Sequence, residues 1–183
     1  MGHLNHFAAL RRVLLCGVLT ASALCCMHAP PPGPMESAES YCVVDNRGGR
    51  LEVTRDDRRY TDFVATEPTW DKLTVISDFQ ILEEKTDKMR AVVLVGYDVV
   101  GFLNGETWRP ALTPKEQRQL IEFKLHIKNG HWRITGPVIE PHVSAKAAVK
   151  HLDGLIAEDK AQGRIRPDLL KAREAIQAIV DKH

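Results

Sequence analysis

Four polar residues that can move a proton lie within or beside the apolar segments of this chain. Tyr97 and Asp98 interrupt one apolar run, and Asp71 and Asp78 flank or interrupt another. If these segments curl around a cavity, the Tyr97 hydroxyl could donate a hydrogen bond while a carboxylate acts as base. The alternative for Asp78 is a β-bulge or an outward-facing position. Tyr97, Asp98 and Asp78 are therefore the candidate catalytic residues.

Aromatic residues indicate where a ligand pocket could form. Small-molecule pockets are lined mainly by apolar and aromatic side chains. Trp70, Tyr97 and Trp108 are the candidates for such a lining, while Trp132 belongs to an amphipathic strand. Burial in the core or at its rim is the simpler alternative for all three tryptophans.

Five basic residues alternate with apolar ones toward the end of the strand-like region. They are Lys124, His126, Lys128, His131 and Arg133. A metal site needs three or four converging ligands, and the neighbouring lysines and arginine would repel a cation, so no metal site is predicted. The alternation favours a solvated outer strand face, with contact to an anionic partner as the alternative.

His142 lies in the stretch "EPHVS", next to two residues that could share acid–base chemistry with it. Glu140 or Ser144 would be the partner in such a pair. The alternative is a loop that only caps the next helix, a role that Ser144 explains alone.

The motifs of nucleotide and metal enzymes are missing from the sequence. It contains no phosphate-binding loop, no dinucleotide fingerprint, no His-Glu-x-x-His and no Cys-x-x-Cys. The formal net charge of +1 also disfavours nucleic acid as a partner, because such domains are strongly basic. No cofactor is predicted.

The first 29 residues are organised as a secretory signal peptide. Arg11 and Arg12 precede an apolar run of about a dozen residues, and cleavage sites follow at Ala23 or Ala29. A permanent membrane span needs roughly 20 apolar residues, so this run is too short. The protein is predicted to be exported, to the periplasm or the outer membrane, with full secretion as the alternative.

Two cysteines near the cleavage region raise the question of a lipid anchor. Cys25 and Cys26 stand where bacterial lipoproteins carry an acylated cysteine, but Leu24 occupies a position where a small residue is usual. Lipidation of Cys25 or Cys26 stays open, and it is the only membrane contact predicted. Cys42 is expected to be a small buried apolar residue, since no even disulfide framework follows from these spacings.

Residues 30–40, "PPPGPMESAES", predict an extended linker, because proline favours polyproline conformation and the Ser and Glu residues stay solvated. The folded α+β domain is expected to start near Tyr41 and to run over 41–141. Gly48 and Gly49 suggest a weak hairpin between short apolar pieces.

A short leading helix and two strands are predicted next. Thr54 and Asp57 form a variant capping box, which indicates a helix over 54–65. Residues 73–82 are rich in β-branched and aromatic residues, and residues 90–103 are apolar on both alternations. The second stretch therefore predicts a central strand that is covered on both faces or strongly bent.

The stretch "IEFKLHIKNGHWRI" predicts a hairpin with one buried face. Apolar and polar residues alternate on both sides of Asn129-Gly130, a pair that can take positive φ in a type I′ turn. This turn places Ile127 opposite Trp132. No function is needed to explain the alternation.

The last segment, 142–183, changes to helical spacing. Ser144 is a good N-cap, Gly163 a termination signal and Pro167 the start of a second helix. This predicts a helical hairpin packed on or beside the sheet. Thr113 starts at most one helical turn before the strand pattern resumes.

The strands "VVLVGYDVVGFL" and "IEFKLHIKNGHWRITGP" resemble the last strands of the nuclear transport factor two-like superfamily. The resemblance covers roughly residues 54–141. It implies a cone in which a curved antiparallel sheet holds helices on its concave side. Members include isomerases, dehydratases and non-catalytic accessory or binding domains. No family active-site motif matches this chain, so no catalytic residue is carried over.

These observations predict an α+β fold with a curved antiparallel sheet, a short leading helix and a C-terminal helical hairpin. The expected function is an exported cell-envelope protein, a non-catalytic binding or accessory domain for a partner protein or a small apolar ligand. One alternative is an isomerase- or dehydratase-type enzyme that uses Tyr97 and a nearby aspartate for proton transfer. Another is a structural subunit that docks through residues 144–182.

Overall fold

The computed structural model describes residues 31–51, 56–63 and 72–182. In chain order the elements are α1 (Pro34–Asn46), a 3₁₀ turn (Asp56–Arg59), β1 (Lys72–Asp87), β2 (Arg90–Asn104), β3 (Thr107–Pro110), α2 (Pro114–Gln117), β4 (Arg118–Lys128), β5 (His131–Gly136), β6 (His142–Ser144), α3 (Ala145–Ala161) and α4 (Pro167–Val180). The predicted class is confirmed: an α+β fold with a curled, mostly antiparallel sheet, an early helix and two C-terminal helices.

The sheet has the strand order β5-β4-β2-β1-β6, and β3 pairs with β2 beside this path. All neighbouring strands are antiparallel except β6, which runs parallel to β1. The parallel pair is possible because β6 returns to β1 only after four intervening strands. The chain then passes directly from β6 into α3.

The hairpin of β4 and β5 has the predicted register. The partners are Lys128 with His131, Ile127 with Trp132, and His126 with Arg133. Asn129 and Gly130 have φ values of 52° and 78°, as the type I′ turn requires. Phe123, Leu125 and Ile134 are buried, so one face of the hairpin closes the core.

β1 and β2 form a long hairpin whose ladder is broken by three register shifts. Val100, Ser77 and Leu82 have no residue opposite them at these points. Each extra residue is a β-bulge, which bends its strand and increases the local twist. The bulges therefore account for the curl of the sheet.

A methyl group at Gly101, beside one of these bulges, has no room. A Cβ atom there would lie 2.3 Å from Cη2 of Trp108 and 2.6 Å from the carbonyl oxygen of Arg109. Because β3 holds both neighbours against β2, we expect Gly101→Ala to lower the free energy of unfolding by about 1–3 kcal/mol in urea titrations.

The same substitution at Gly154 is the control for Gly101→Ala. Gly154 lies in the exposed part of α3, where a Cβ atom would meet nothing within 4 Å. Gly154→Ala should raise the free energy of unfolding by roughly 0.5–1 kcal/mol, since alanine is the better helix former. Equal effects at the two positions would contradict the steric argument.

The leading helix begins earlier in the chain than predicted. α1 starts at Pro34, and its residues Ser37 and Ala38 are buried, so the linker prediction for 30–40 is wrong from residue 34 onward. Proline suits the first helical position because its missing N–H group has no helical partner there. Glu36 in the first turn also favours the helix through its interaction with the helix dipole.

The hairpin predicted at Gly48-Gly49 is also wrong. These glycines end α1: Gly48 has a φ of 85°, and the Gly49 N–H group donates to the carbonyl of Val44. In the stretch 54–65, the described residues form the 3₁₀ turn and then a bridge from Thr61 to Ile134, not the predicted helix. The remainder of that stretch lies outside the described residues.

Two apolar clusters hold the fold together. The first core lies between α1 and the inner face of the sheet, and its largest members are Tyr41, Tyr97, Phe123 and Ile134. The second core lies between the sheet and the two C-terminal helices, and it includes Val75, Val143, Leu152, Leu169 and Ile176. β1 and β2 contribute to both cores. The N-terminal end of β1 and the C-terminal end of β2 are therefore covered on both faces.

The C-terminal helices follow the predicted signals. The Ser144 hydroxyl accepts the N–H group of Ala147 at 3.2 Å, and Gly163, with a φ of 70°, ends the turn after α3. α4 starts at Pro167. The single turn α2 is closed by a capping box between Thr113 and Glu116, as its sequence indicated.

Candidate functional site

Tyr97 points into the first core and not into a solvent-accessible cavity. Its side chain is 1% exposed, and its hydroxyl lies 3.1 Å from Sγ of Cys42 on α1. The ring packs at 4.4 Å between centroids against the imidazole of His142. Tyr97 and His142, two candidates from the sequence, are thus brought together with Cys42 where α1 packs on the sheet.

Burial keeps the protons on both Tyr97 and Cys42. Desolvation raises the pKa of the Cys42 thiol from 9.0 to about 12, and it raises the pKa of the Tyr97 phenol well above 10.0. Neither group is therefore a nucleophile or a base at neutral pH. Cys42 is the small buried residue that the sequence predicted.

A buried ion pair lies next to these groups. Arg50 and Asp45 approach to 3.2 Å, and their side chains are 0% and 1% exposed. Arg50 also donates to the Tyr41 hydroxyl at 3.0 Å and to the Ile139 carbonyl at 2.6 Å. The Asp45 carboxylate accepts the backbone N–H group of His142 at 2.9 Å. This cluster of Tyr41, Asp45, Arg50 and His142, which we call the α1 clamp, ties α1 to Ile139 and to the start of β6.

His142 is held inside the α1 clamp as a neutral ring. Its Nδ1 lies 2.8 Å from the Glu140 carbonyl and its Nε2 lies 3.0 Å from the side-chain amide of Gln119. Desolvation lowers the pKa of His142 from 6.5 to about 4, against a smaller raising effect of the Glu140 hydrogen bond. Glu140 and Ser144 are both near in sequence, but Glu140 contacts the ring through its backbone carbonyl while Ser144 caps α3.

The chemistry available to the α1 clamp and to the neighbouring Tyr97 is limited by their burial. Tyr97 and His142 are each 1% exposed, so a substrate would have to displace α1 to reach them. The Tyr97 hydroxyl has a hydrogen-bond partner in the protein itself. The described geometry gives these side chains a role in fastening α1, and it offers no substrate position beside them.

The candidate aspartates face the other way. Asp98 forms an ion pair with Arg118 on the outer face of the sheet, and Asp78 accepts the backbone N–H group of Phe79 at an exposed position. Trp108 packs in the second core, away from Tyr97 in the first. Trp70 and Asp71 lie outside the described residues. The structure therefore does not bring Tyr97, Asp98, Asp78 and Trp108 to one place.

The basic hairpin face is partly covered by this chain's own Asp62. Its carboxylate lies 2.7 Å from Nζ of Lys128 and 3.3 Å from Nε2 of His126. The hydrogen bond from Lys128 holds the pKa of Asp62 below its ordinary value. Arg133 donates to the Arg58 carbonyl at 2.9 Å. An anionic group thus does meet this face, and it comes from the segment after the 3₁₀ turn.

An apolar groove opens at the tip of the C-terminal helical hairpin. It has a volume of about 400 Å³, and Ile156, Ile165, Leu169 and Leu170 form its apolar wall. Ile165 is 82% exposed and Leu170 is 41% exposed. The groove is called the tip groove below. The sequence pattern predicted the helical hairpin as a docking surface, without indicating these residues.

Charged side chains form the rim of the tip groove. Asp159, Lys160, Arg164 and Arg166 lie there. Asp159 binds Nε of Arg164 at 3.0 Å and Nε of Arg166 at 3.2 Å. Arg166 also reaches Glu106 at 2.9 Å. The rim therefore brings three cations close to an apolar wall.

A second, wider concavity lies on the outer face of the sheet, with Leu94, Leu120, Glu122 and Lys124 among its lining residues. Leu120 is 58% exposed. Glu122 and Lys124 carry opposite charges on the same strand, so this surface has no preferred charge. It offers less specificity than the tip groove.

Comparisons of the chain with family models, with curated proteins and with solved structures find no match. The resemblance to the nuclear transport factor two-like superfamily therefore stays a prediction. Within the described ranges, no group of three or more His, Cys, Asp or Glu side chains is placed to hold a metal ion. Of the helices in those ranges, none is both long and apolar enough to cross a bilayer.

Proposed function

We propose that this chain is an exported, non-catalytic binding protein of the cell envelope that holds a small apolar ligand in the tip groove. The N-terminal pattern of a charged pair, an apolar run and small residues supports export. The observation that carries the binding role is the exposure of Ile165 and Leu170 at the edge of an apolar groove.

The size of the tip groove favours a small ligand over a protein partner. Its volume of about 400 Å³ lies within the range of small-molecule sites, roughly 300–1,000 Å³. A stable protein interface buries roughly 800 Å² on each partner, and two exposed apolar side chains provide much less. The enzyme alternative has less support, because the Tyr97 side chain is enclosed by the first core.

Binding of a neutral fluorescent probe tests this proposal. N-phenyl-1-naphthylamine becomes brighter in apolar surroundings, and we expect one saturable site per chain. The double variant Ile165→Ser/Leu170→Ser should weaken probe binding about tenfold, since it removes much of the apolar rim. Fluorescence titration measures this change.

Leu112→Ser is the matched control for the probe experiment. Leu112 is 74% exposed, nearly as much as Ile165 at 82%, but it precedes α2 and does not line the tip groove. This variant should bind the probe as the unaltered chain does. Absence of saturable binding, or equal affinity of the double variant and the unaltered chain, would refute the proposed function.

A further inference from the structure

The charges around the tip groove select among apolar ligands. Three cations lie at the groove, Lys160, Arg164 and Arg166. Among the described residues, Arg164 and Arg166 share the carboxylate of Asp159, and Arg166 also pairs with Glu106 from outside the groove wall. Cations are therefore in excess at the rim. A ligand with a negative group would balance this excess, whereas a purely apolar ligand would leave it as it is.

Two of these cations keep donors available for a ligand. Arg164 gives both Nε and Nη2 to one oxygen of Asp159, which leaves its Nη1 without a hydrogen bond among the described residues. Lys160 is exposed and has no ion pair with any residue of the described ranges. A carboxylate accepts well from such donors, because hydrogen bonds between charged groups are roughly twice as strong as neutral ones.

The apolar wall and the free donors lie at the same end of the molecule. Lys160 and Arg164 come from the end of α3 and the turn after it, and Leu169 and Leu170 come from the first turn of α4. A molecule with an apolar tail and an anionic head would place its tail along the leucines and isoleucines while its head meets these donors.

We propose that the tip groove binds a single-chain anionic amphiphile, a fatty acid carboxylate. This inference rests on the proposed function and specifies its ligand. A fatty acid fits better than a phospholipid bilayer, since Ile165 and Leu170 are the only large apolar side chains of the described groove lining that are exposed. Insertion into a membrane requires a broader apolar face with a row of basic residues.

Displacement of N-phenyl-1-naphthylamine tests the proposal at a pH of about 8. Decanoate and 1-decanol share their chain length and differ in charge. We expect decanoate to displace the probe at a concentration about three to ten times lower than 1-decanol, and we expect salt to reduce this advantage. Lys160→Gln should weaken decanoate binding about two- to fivefold and leave 1-decanol unchanged.

Lys146→Gln is the control for charge, because Lys146 is exposed at the start of α3 and does not line the tip groove. It should not change the affinity for decanoate. Equal displacement of the probe by decanoate and 1-decanol would overturn the anionic-ligand proposal. The proposed function would still stand in that case, because the probe itself binds. Failure of the probe to bind would refute both. If the protein sediments with phosphatidylglycerol vesicles and decanoate does not displace the probe, the ligand is a membrane surface and the fatty acid proposal is overturned.

Discussion

Arg50→Met is expected to lower the free energy of unfolding by about 3–5 kcal/mol. The substitution leaves the Asp45 carboxylate buried without the guanidinium that faces it at 3.2 Å. It also removes the donors to the Tyr41 hydroxyl and the Ile139 carbonyl. A buried charge that loses its partner costs far more than a surface charge, because no water replaces the lost interaction. Denaturant unfolding followed by circular dichroism measures the change.

The matched control is Arg118→Ala, which breaks the exposed ion pair with Asp98. Surface pairs of this kind contribute less than about 1 kcal/mol, so this variant should unfold almost as the unaltered chain does. Adding Asp45→Asn to Arg50→Met removes the uncompensated charge, and it should restore more than about 1 kcal/mol. If Arg50→Met is no more harmful than Arg118→Ala, the α1 clamp does not hold α1 in place.

The parts of the fold that the sequence predicted are those with local signals. Asn129-Gly130 fixes the turn between β4 and β5, and the alternation on either side fixes which face is buried. Ser144 and Pro167 start the last two helices for equally local reasons, a side-chain cap and a preset φ angle. Each of these signals acts within a few residues, so no knowledge of the rest of the chain is needed.

The sequence did not predict α1, because the buried face of this helix includes polar residues. The buried residues of α1 are Ser37, Ala38, Tyr41, Cys42 and Asp45. They have helical spacing, but Ser37 and Asp45 are polar and are compatible with burial only through partners distant in the chain. The prolines before Glu36 pointed toward a linker, although proline is equally favourable at the start of a helix.

Only part of the candidate site could be predicted from the sequence, because its residues also meet through contacts between distant parts of the chain. Tyr97 was singled out because it interrupts an apolar strand, and it does lie at a buried polar cluster. Its partners, Cys42 on α1 and His142 at the start of β6, are 55 and 45 residues away in the chain, and no local pattern joins them. Ile165 offered a weaker signal, an apolar residue between two arginines in the loop before Pro167.

The stability of the protein is expected to fall with decreasing pH because His142 is buried as a neutral ring. Its pKa is lowered from 6.5 to about 4 in the folded chain, so the unfolded chain binds the proton more tightly. Stability is therefore fully present above about pH 6.5 and is lost as the pH falls toward 4. Between pH values of about 7.5 and 5, we expect a loss of about 2 kcal/mol in the free energy of unfolding from this residue.

His142→Gln separates this contribution from those of the other titrating groups. The charged and titratable groups near the ring are Glu140, Arg50, Asp45 and Tyr97, and all of them remain in the variant. The variant should be less stable at neutral pH but should lose about 2 kcal/mol less between the two pH values. His151→Gln is the control. Half-burial in α3 lowers the pKa of His151 too, but the ring is not enclosed. This substitution should therefore change the pH dependence of the free energy of unfolding less than His142→Gln does. If the free energy of unfolding of His142→Gln depends on pH as steeply as that of the unaltered chain, His142 is protonated at little cost in the folded protein. In that case α1 moves enough to let water reach the ring.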